Sequence, residues 1–213
     1  MSSYFVTGTD TSVGKTHVVC ALLRDLCRRG ISSVGYVPVS CGSRADARAI
    51  REACASKLSL EELNPLYFRA SAAPSVAAEF ERRRVEPRVL TAGFHALAER
   101  YETVLVEAMG GWLLPLDKGC TMADLAEQLQ LPVLVVANNR FGAESHVMLT
   151  IQDIQRRGLV CRGIILNHIA EDWDTASLTN RRVMEEYTGV PVIAELIHGQ
   201  DELDSSILDE VSA

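Results

Sequence analysis

A glycine-rich loop near the N-terminus constrains the fold more than any other feature of this sequence. It runs from Gly8 to Thr16, follows the short apolar segment Tyr4–Thr7, and opens a helical pattern. Glycines let the backbone curl, so that consecutive N–H groups and the helix N-terminus face an anion. Lys15 supplies a cation for phosphate oxygens, and the Thr16 hydroxyl supplies a ligand for Mg²⁺. The segment therefore predicts a phosphate-binding loop, although five residues rather than the usual four separate Gly8 from Gly14. The alternative is an incidental glycine turn before a helix.

Short apolar runs alternate with helical patterns along the rest of the chain. The predicted strands are Tyr4–Thr7, Ser33–Val39, Thr103–Glu107, Pro132–Ala137, Arg162–Leu166 and Pro191–Glu195. The predicted helices are Lys15–Arg29, Ala45–Ala55, Val89–Tyr101, Met122–Leu129, Glu144–Arg157 and Thr175–Tyr187. Near-continuous apolar runs are typical of parallel strands that are covered on both faces. The pattern predicts an α/β fold of the P-loop NTPase-like kind, with a single domain over residues 1–213 and a mostly parallel sheet covered by helices on both faces.

Composition and charge exclude several classes of function. With 28 acidic and 21 basic residues the net charge is −7, which gives no basic footprint for nucleic acid. Six scattered cysteines without a paired motif indicate reduced thiols, so we expect a cytoplasmic protein without a disulfide framework. The apolar runs are too short to span a membrane. The charged run Glu79–Arg84 indicates a solvated loop or a helix end, and the acidic segment from about Gln200 predicts a loosely held C-terminal end.

The loop and several later motifs, taken together, resemble the dethiobiotin synthetases, a family of P-loop ATPases with an extra residue in this loop. The motifs are Gly8-Thr9-Asp10-Thr11-x-Val13-Gly14-Lys15-Thr16, Gly35-Tyr36-x-Pro38-Val39, Val104-Leu105-Val106-Glu107-x-x-Gly110-Gly111-Trp112, Leu131-Pro132-Val133, Gly142-x-x-x-His146 and Asn167. The resemblance covers about residues 1–195. It implies a homodimeric enzyme that uses ATP and Mg²⁺ to join CO₂ to 7,8-diaminononanoate and to close the cyclic urea of dethiobiotin.

The motifs and the resemblance together give four groups of candidate site residues. The catalytic candidates are Lys15 and Thr11. The nucleotide-binding candidates are Asp10, Thr11, Ser12, Val13, Gly14, Lys15, Thr16 and Asn167. The candidate Mg²⁺ ligands are Thr16, Asp46 and Glu107. The substrate-binding candidates are Cys41, Gly110, Gly111, Gly142, Ala143, Glu144 and Ser145.

Elementary chemistry supports several of these assignments and leaves alternatives for each. Glu107 ends an apolar strand, so its carboxylate is expected at the carboxyl edge of the sheet, near Mg²⁺ or a substrate amine. A plain surface carboxylate is the alternative for Glu107 and for Asp46. The Asn167 amide can pair with adenine, or Asn167 can be a turn residue after its strand. A carboxylate at Glu144 would compete with an anionic ligand at the helix N-terminus, and a helix-capping role is the alternative for Glu144 and Ser145.

One departure from the family pattern concerns the chemistry directly. The family carries a lysine where this chain has Val37, at a position that approaches the transferred phosphoryl group. Its absence predicts reduced or altered activity, unless Arg44, Arg48 or Arg140 supplies the charge instead. A second change, Met109 in the Gly110-Gly111 motif, is expected to narrow the substrate site. These changes also leave room for a second hypothesis, a nucleotide-binding regulatory or partner protein, or an ATP-dependent enzyme for another substrate.

Overall fold

A computed structural model describes residues 3–171 and 174–210 of the chain. Its strands are β1 (Tyr4–Gly8), β2 (Ser33–Tyr36), β3 (Val39–Cys41), β4 (Leu66–Phe68), β5 (Thr103–Glu107), β6 (Pro115–Asp117), β7 (Cys120–Thr121), β8 (Val133–Asn138), β9 (Cys161–Asn167) and β10 (Val192–Leu196). Its helices are α1 (Lys15–Arg28), α2 (Ala45–Ala53), α3 (Leu60–Leu63), α4 (Pro74–Phe80), α5 (Pro87–Ala98), α6 (Met122–Leu129), α7 (Ala143–Arg156), α8 (Asn180–Thr188) and α9 (Ile207–Glu210).

The centre of the structure is a six-stranded sheet in the order β10-β9-β8-β1-β5-β2, and every neighbouring pair is parallel. Every residue of β1, β2 and β5 is buried, as expected for strands that are covered on both faces. Because parallel strands need crossover connections, helices separate most of them along the chain. The predicted α/β fold and all six predicted strands of the sheet are confirmed. The carboxyl ends of β1 and β5 lie side by side, which places the glycine-rich loop next to Glu107.

The predicted strand Ser33–Val39 is wrong in its extent. The structure ends β2 at Tyr36, and β3 leaves the central sheet to pair in parallel with β4. The reason lies at Val37, whose N–H donates to the Leu63 carbonyl at 2.8 Å. Pro38 follows and has no N–H to offer a ladder. The chain therefore turns away from the sheet within these two residues.

Other predicted boundaries also differ from those of the structure. The helix predicted from Thr175 begins at Asn180, because residues 175–179 form turns that are tied by side-chain hydrogen bonds such as Ser177 Oγ to the Asp174 carbonyl. The charged run Glu79–Arg84 spans the end of α4 at Phe80, which confirms a helix end. Within residues 3–171 and 174–210, no helix is long and apolar enough to cross a membrane.

The segment after β10 packs back against α1. The Asp25 carboxylate accepts hydrogen bonds from the N–H and the hydroxyl of Ser205, at 2.8 and 2.7 Å. Arg29 donates to the Ser205 hydroxyl and to the Asp209 carboxylate. The Tyr4 hydroxyl donates to the Leu208 carbonyl at 2.8 Å. These contacts join residues 205–209 to α1 and β1. Residues 205–209 belong to the acidic segment after about Gln200, for which the sequence predicts a loosely held end.

Candidate active site

The glycine-rich loop turns tightly between β1 and α1. Gly14 is the N-cap of α1 and has a φ of +88°, and Ser12 has a φ of +57°. A Cβ atom at Gly14 would lie 2.0 Å from Asn167 Nδ2. A Cβ atom at Gly8 would lie 2.8 Å from a methyl carbon of Val13. Both positions therefore require glycine for close approach, and Gly14 also for its backbone angle. The loop is therefore packed closely on the end of the strand opposite it.

Lys15 is almost fully buried at the start of α1. Its Nζ donates to the Asp10 carbonyl at 2.9 Å, so the side chain lies across the loop. Burial lowers the pKa of the Lys15 ammonium, and the negative charges of Glu107 and Asp46 oppose that effect. On the other side of the loop backbone, the Asp10 carboxylate accepts a hydrogen bond from the Thr11 N–H at 2.7 Å. The Lys15 ammonium is thus held against the backbone of the loop.

A cavity of about 350 Å³ lies beside Lys15, where the carboxyl ends of the strands meet. It brings together the greater part of the predicted site: Thr11, Ser12, Gly14, Lys15, Thr16, Cys41, Asp46, Glu107 and Gly110. Val37 and Met109 line it as well. Burial raises the pKa of the Cys41 thiol to about 11, so this group is neutral at pH 7. We call this space the phosphate cavity.

Two carboxylates face the phosphate cavity. Glu107, at the end of β5, is 4% exposed, and its Oε1 accepts a hydrogen bond from the Thr16 hydroxyl at 2.6 Å. Its Oε2 is buried and has no hydrogen-bond partner among the described residues. Burial raises the pKa of Glu107 to about 8, against the opposing effect of the Thr16 hydrogen bond. The alternative of a surface carboxylate is therefore wrong for Glu107. Asp46, in the first turn of α2, is exposed and lines the same cavity.

Asn167 is the last residue of β9 and lies against the loop. Its side chain is buried, and Nδ2 donates to the Val13 carbonyl at 3.0 Å. The interpretation as a turn residue is wrong, because Asn167 is still paired in the sheet with Asn138 and Leu196. The amide retains its oxygen and one N–H for a further partner.

The structure does not bring the remaining substrate candidates into the phosphate cavity. Gly142 is the N-cap of α7, with a φ of +83°, so neither Glu144 nor Ser145 is the capping residue. Ala143 lines a small groove of about 120 Å³ on the other side of the loop. Gly111 lines a larger groove of about 480 Å³, with Trp112, Leu113 and Leu149. Thr11 lines the phosphate cavity and both grooves, so the three spaces meet at this residue.

The three arginines expected to replace the missing lysine, Arg44, Arg48 and Arg140, do not line the phosphate cavity. The Arg44 guanidinium donates to the side chains of Asn64 and Glu61 and to the Leu60 carbonyl. Arg140 lines the small groove on the far side of the loop. Among the residues that the structure places around the phosphate cavity, Lys15 is the only lysine or arginine. The apolar wall at position 37 is therefore not compensated by a neighbouring arginine.

Sequence reasoning missed a group of polar residues behind Asn167, all of them buried except the partly exposed Glu195. They are Asn139, His168, Ser177, Asn180 and Glu195. A signal for three of them was present, since polar residues at the carboxyl ends of neighbouring parallel strands meet at one edge.

Comparison with known proteins places the chain in a family. A family model described as "AAA domain" matches residues 2–201. The ATP-dependent dethiobiotin synthetase BioD of Akkermansia muciniphila is 45% identical over 99% of both chains. The enzyme of the same name from Anaeromyxobacter sp. strain Fw109-5 is 42% identical over 94% of this chain and 92% of its own length. A ParA family ATPase from Chlorobium tepidum shares the fold, with a TM-score of 0.59 at 16% identity, over all of this chain and 91% of the other. These matches do not favour a regulatory paralogue, and the chain belongs to the dethiobiotin synthetase family.

Proposed function

We propose that this chain converts 7,8-diaminononanoate, CO₂ and ATP into dethiobiotin, ADP and phosphate. The observation that carries the proposal is the phosphate cavity, where Lys15, Thr16 and Glu107 converge at the carboxyl ends of β1 and β5. Full-length similarity to enzymes named ATP-dependent dethiobiotin synthetase supports it. The six cysteines are all free, in keeping with the expected cytoplasmic location.

The loop is suited to bind the triphosphate of ATP. The N-terminus of α1 offers N–H groups to the phosphates, and Lys15 exchanges its bond to the Asp10 carbonyl for phosphate oxygens. Asn167 lies on the opposite side of the loop, where its amide oxygen accepts from the exocyclic amine of adenine. Its free N–H donates to a ring nitrogen of the base. Asp10, Ser12, Val13 and Gly14 shape the loop between these two ends.

The residues present fit a nucleotide-bound Mg²⁺. Mg²⁺ prefers oxygen ligands and is usually held by one or two carboxylates together with substrate phosphates. The Thr16 hydroxyl, the Asp46 carboxylate and the unpartnered Oε2 of Glu107 offer such oxygens at one cavity. When bound, the ion neutralises charge on the phosphates.

The proposed reaction has three steps. One amine of the diamine attacks CO₂ and loses a proton, which gives a carbamate. A carbamate oxygen attacks the γ-phosphorus of ATP, and ADP leaves. The second amine then attacks the carbonyl carbon, loses a proton and expels phosphate, which closes the ring. In these steps Lys15 and Thr11 hold the phosphate groups. The apolar walls at Val37 and Val39 exclude water from the mixed anhydride of carbamate and phosphate.

A second copy of the chain is proposed to complete the substrate site. The diamine end lies at Cys41 and Gly110, and the aliphatic chain follows the larger groove. Two leucines of that region, Leu113 and Leu149, are 54% and 65% exposed, so the groove presents an apolar surface that a partner subunit can cover. The substrate carboxylate is proposed to bind the N–H groups of residues 142–145, at the start of α7, from that second copy.

The proposal is tested by product analysis. The purified chain is incubated with ATP, Mg²⁺, ¹³C-bicarbonate and the diamine, and the products are separated by mass. We expect dethiobiotin carrying one ¹³C atom, and none from the Lys15→Ala variant or without ATP. Release of ADP without labelled dethiobiotin would refute the assigned substrate, and no nucleotide turnover at all would refute the assigned activity.

A further inference from the structure

A polar cluster, buried except at Glu195, joins the carboxyl ends of three strands behind Asn167. We call it the Asn139 cluster; its members are Asn139, His168, Ser177, Asn180 and Glu195. Asn139 and His168 directly follow β8 and β9, Glu195 lies in β10, and Asn180 begins α8. Asn139, His168, Ser177 and Asn180 are each at most 4% exposed. The phosphate cavity includes none of the five.

The hydrogen bonds of the Asn139 side chain are fully assigned. Nδ2 lies 2.8 Å from Glu195 Oε1, 3.1 Å from the Ser177 carbonyl and 3.0 Å from His168 Nε2. Oδ1 accepts from Asn180 Nδ2 at 2.8 Å. His168 Nε2 lies 2.8 Å from Glu195 Oε1. An ionised carboxylate only accepts hydrogen bonds. The ring N–H at His168 Nε2 and one proton of the Asn139 amide therefore go to Glu195. The second proton of the Asn139 amide goes to the Ser177 carbonyl.

The satisfied hydrogen bonds of the Asn139 side chain favour a rigid arrangement. The cluster is connected to Asn167 through the backbone. The Asn139 N–H donates to the Asn167 carbonyl at 2.9 Å, and the His168 N–H donates to the Leu196 carbonyl at 2.8 Å. The Asn167 side chain in turn donates to the Val13 carbonyl. The backbone of Asn167 is thus held by its hydrogen bond from Asn139, and its side-chain amide is held by its hydrogen bond to the glycine-rich loop.

We propose that the Asn139 cluster is a positioning group for base selection, and that Asn139 and Glu195 are its principal members. The inference rests on the proposed binding of ATP, and it concerns which base the site accepts. A buried amide discriminates against a nucleotide that lacks a matching group only if the amide cannot turn toward another partner. The cluster supplies that constraint by fixing the end of β9. Recognition of the 6-amino group of the purine therefore depends on side chains that do not touch the nucleotide.

A purely structural role predicts a different result. If the cluster only stabilised the fold, its loss would lower thermal stability and weaken the binding of every ligand alike. A positioning role changes the ratio of affinities between two bases. Binding of the phosphates alone, which depends on Lys15 and on the loop, stays the same.

The test measures binding without any diamine. Dissociation constants in the presence of Mg²⁺ are determined by calorimetry for ATP, for purine riboside triphosphate, which carries hydrogen in place of the 6-amino group, and for inorganic tripolyphosphate. The variants are Asn139→Leu, Glu195→Ala and the matched control Glu195→Gln, which keeps an acceptor oxygen. We expect the wild type to bind ATP at least tenfold more tightly than purine riboside triphosphate. This ratio should fall below threefold in Asn139→Leu and Glu195→Ala and be kept in Glu195→Gln, while tripolyphosphate affinity stays within twofold.

Each other outcome has a definite meaning. An unchanged ratio in the variants, parallel weakening of all three ligands, or a wild type that does not discriminate would overturn the inference and leave the proposed function intact. A wild type that binds no triphosphate would overturn the proposed function and the inference with it. Should Asn139→Leu fail to fold, Glu195→Ala decides, because the Glu195 side chain is 27% exposed and tolerates truncation.

Discussion

Replacing Val37 by lysine tests how the phosphate cavity handles charge. Val37 lines the cavity and is 4% exposed, and Lys15 is the only lysine or arginine among the residues placed around that space. Two hydrogen bonds fix the backbone of Val37: its N–H donates to the Leu63 carbonyl, and its carbonyl accepts from Asn64 Nδ2. A new side chain therefore starts from the same backbone and enters the cavity.

The expected gain follows from the charge that the new ammonium meets. Two opposite unit charges 4 Å apart interact by about 4 kcal/mol at an effective dielectric constant of 20. ATP carries much of its negative charge before reaction, so only the part that develops in the transition state raises turnover. If that part is about a third, the gain is ~1.4 kcal/mol, or tenfold in rate. The Asp46 carboxylate faces the same cavity and offsets part of the desolvation of the ammonium.

The assay is the rate of dethiobiotin formation at saturating diamine and ATP. We expect Val37→Lys to raise kcat at least tenfold while the dissociation constant for ATP changes less than threefold. Val37→Met is the matched control, because it adds length without charge. A wild-type turnover of ~1 s⁻¹ or more would show that another group already supplies the cation. No gain from lysine, or an equal gain from methionine, would refute the electrostatic reasoning.

Three further predictions concern the phosphate cavity, the oligomeric state and the contact between Asp25 and Ser205. Lys15→Ala should abolish calorimetrically detectable ATP binding, because Lys15 is the only lysine or arginine that the described part of the chain places on the cavity wall; unchanged affinity would refute the phosphate-loop assignment. Light scattering should show a homodimer of about twice the 23.3 kDa chain, and a monomer at micromolar concentration would refute the shared substrate site. Asp25→Asn should lower the free energy of unfolding by about 1 kcal/mol at pH 7. Burial raises the pKa of Asp25, but the hydrogen bonds from Ser205 outweigh burial and hold this pKa below its usual value. The stabilisation by the Asp25 carboxylate is therefore present above pH ~4 and is lost as pH falls. An equal loss of unfolding free energy in Asp25→Asn at pH 3, measured by urea titration, would contradict this.

The central sheet could be predicted from the sequence because each strand carries its own signal. A buried parallel strand is a nearly continuous apolar run, and all six runs found in the sequence are strands of the sheet. The short pair β3 and β4 could not be predicted in this way. Each has three residues, and β3 exists because Val37 bonds to Leu63, a residue distant in sequence. Local pattern carries no information about such a contact.

The candidate site divides along the same line. Lys15 and Thr16 belong to a local motif, and Glu107 ends a recognisable strand, so these residues could be placed from sequence alone. The contacts of Asn139 are to residues 29 to 56 positions away, and each of those residues looks like an ordinary polar residue at the end of an element. Their grouping becomes visible only when the strand order brings β8, β9 and β10 together.

That strand order also separates Val37, where we expect an effect on phosphoryl transfer, from Asn139, which we propose for base selection. Val37 follows β2 at one edge of the sheet, whereas Asn139 follows β8, three strands away, a distance of roughly 14 Å at about 4.8 Å per strand. Effects of residues further apart than ~7–10 Å without shared partners usually add. The double variant Val37→Lys with Asn139→Leu should therefore show the turnover gain of the first change and the lost base discrimination of the second. Measuring kcat and the affinity ratio for ATP and purine riboside triphosphate in the four proteins tests this. A coupling larger than threefold in either quantity would mean that the two sides of the loop act as one unit.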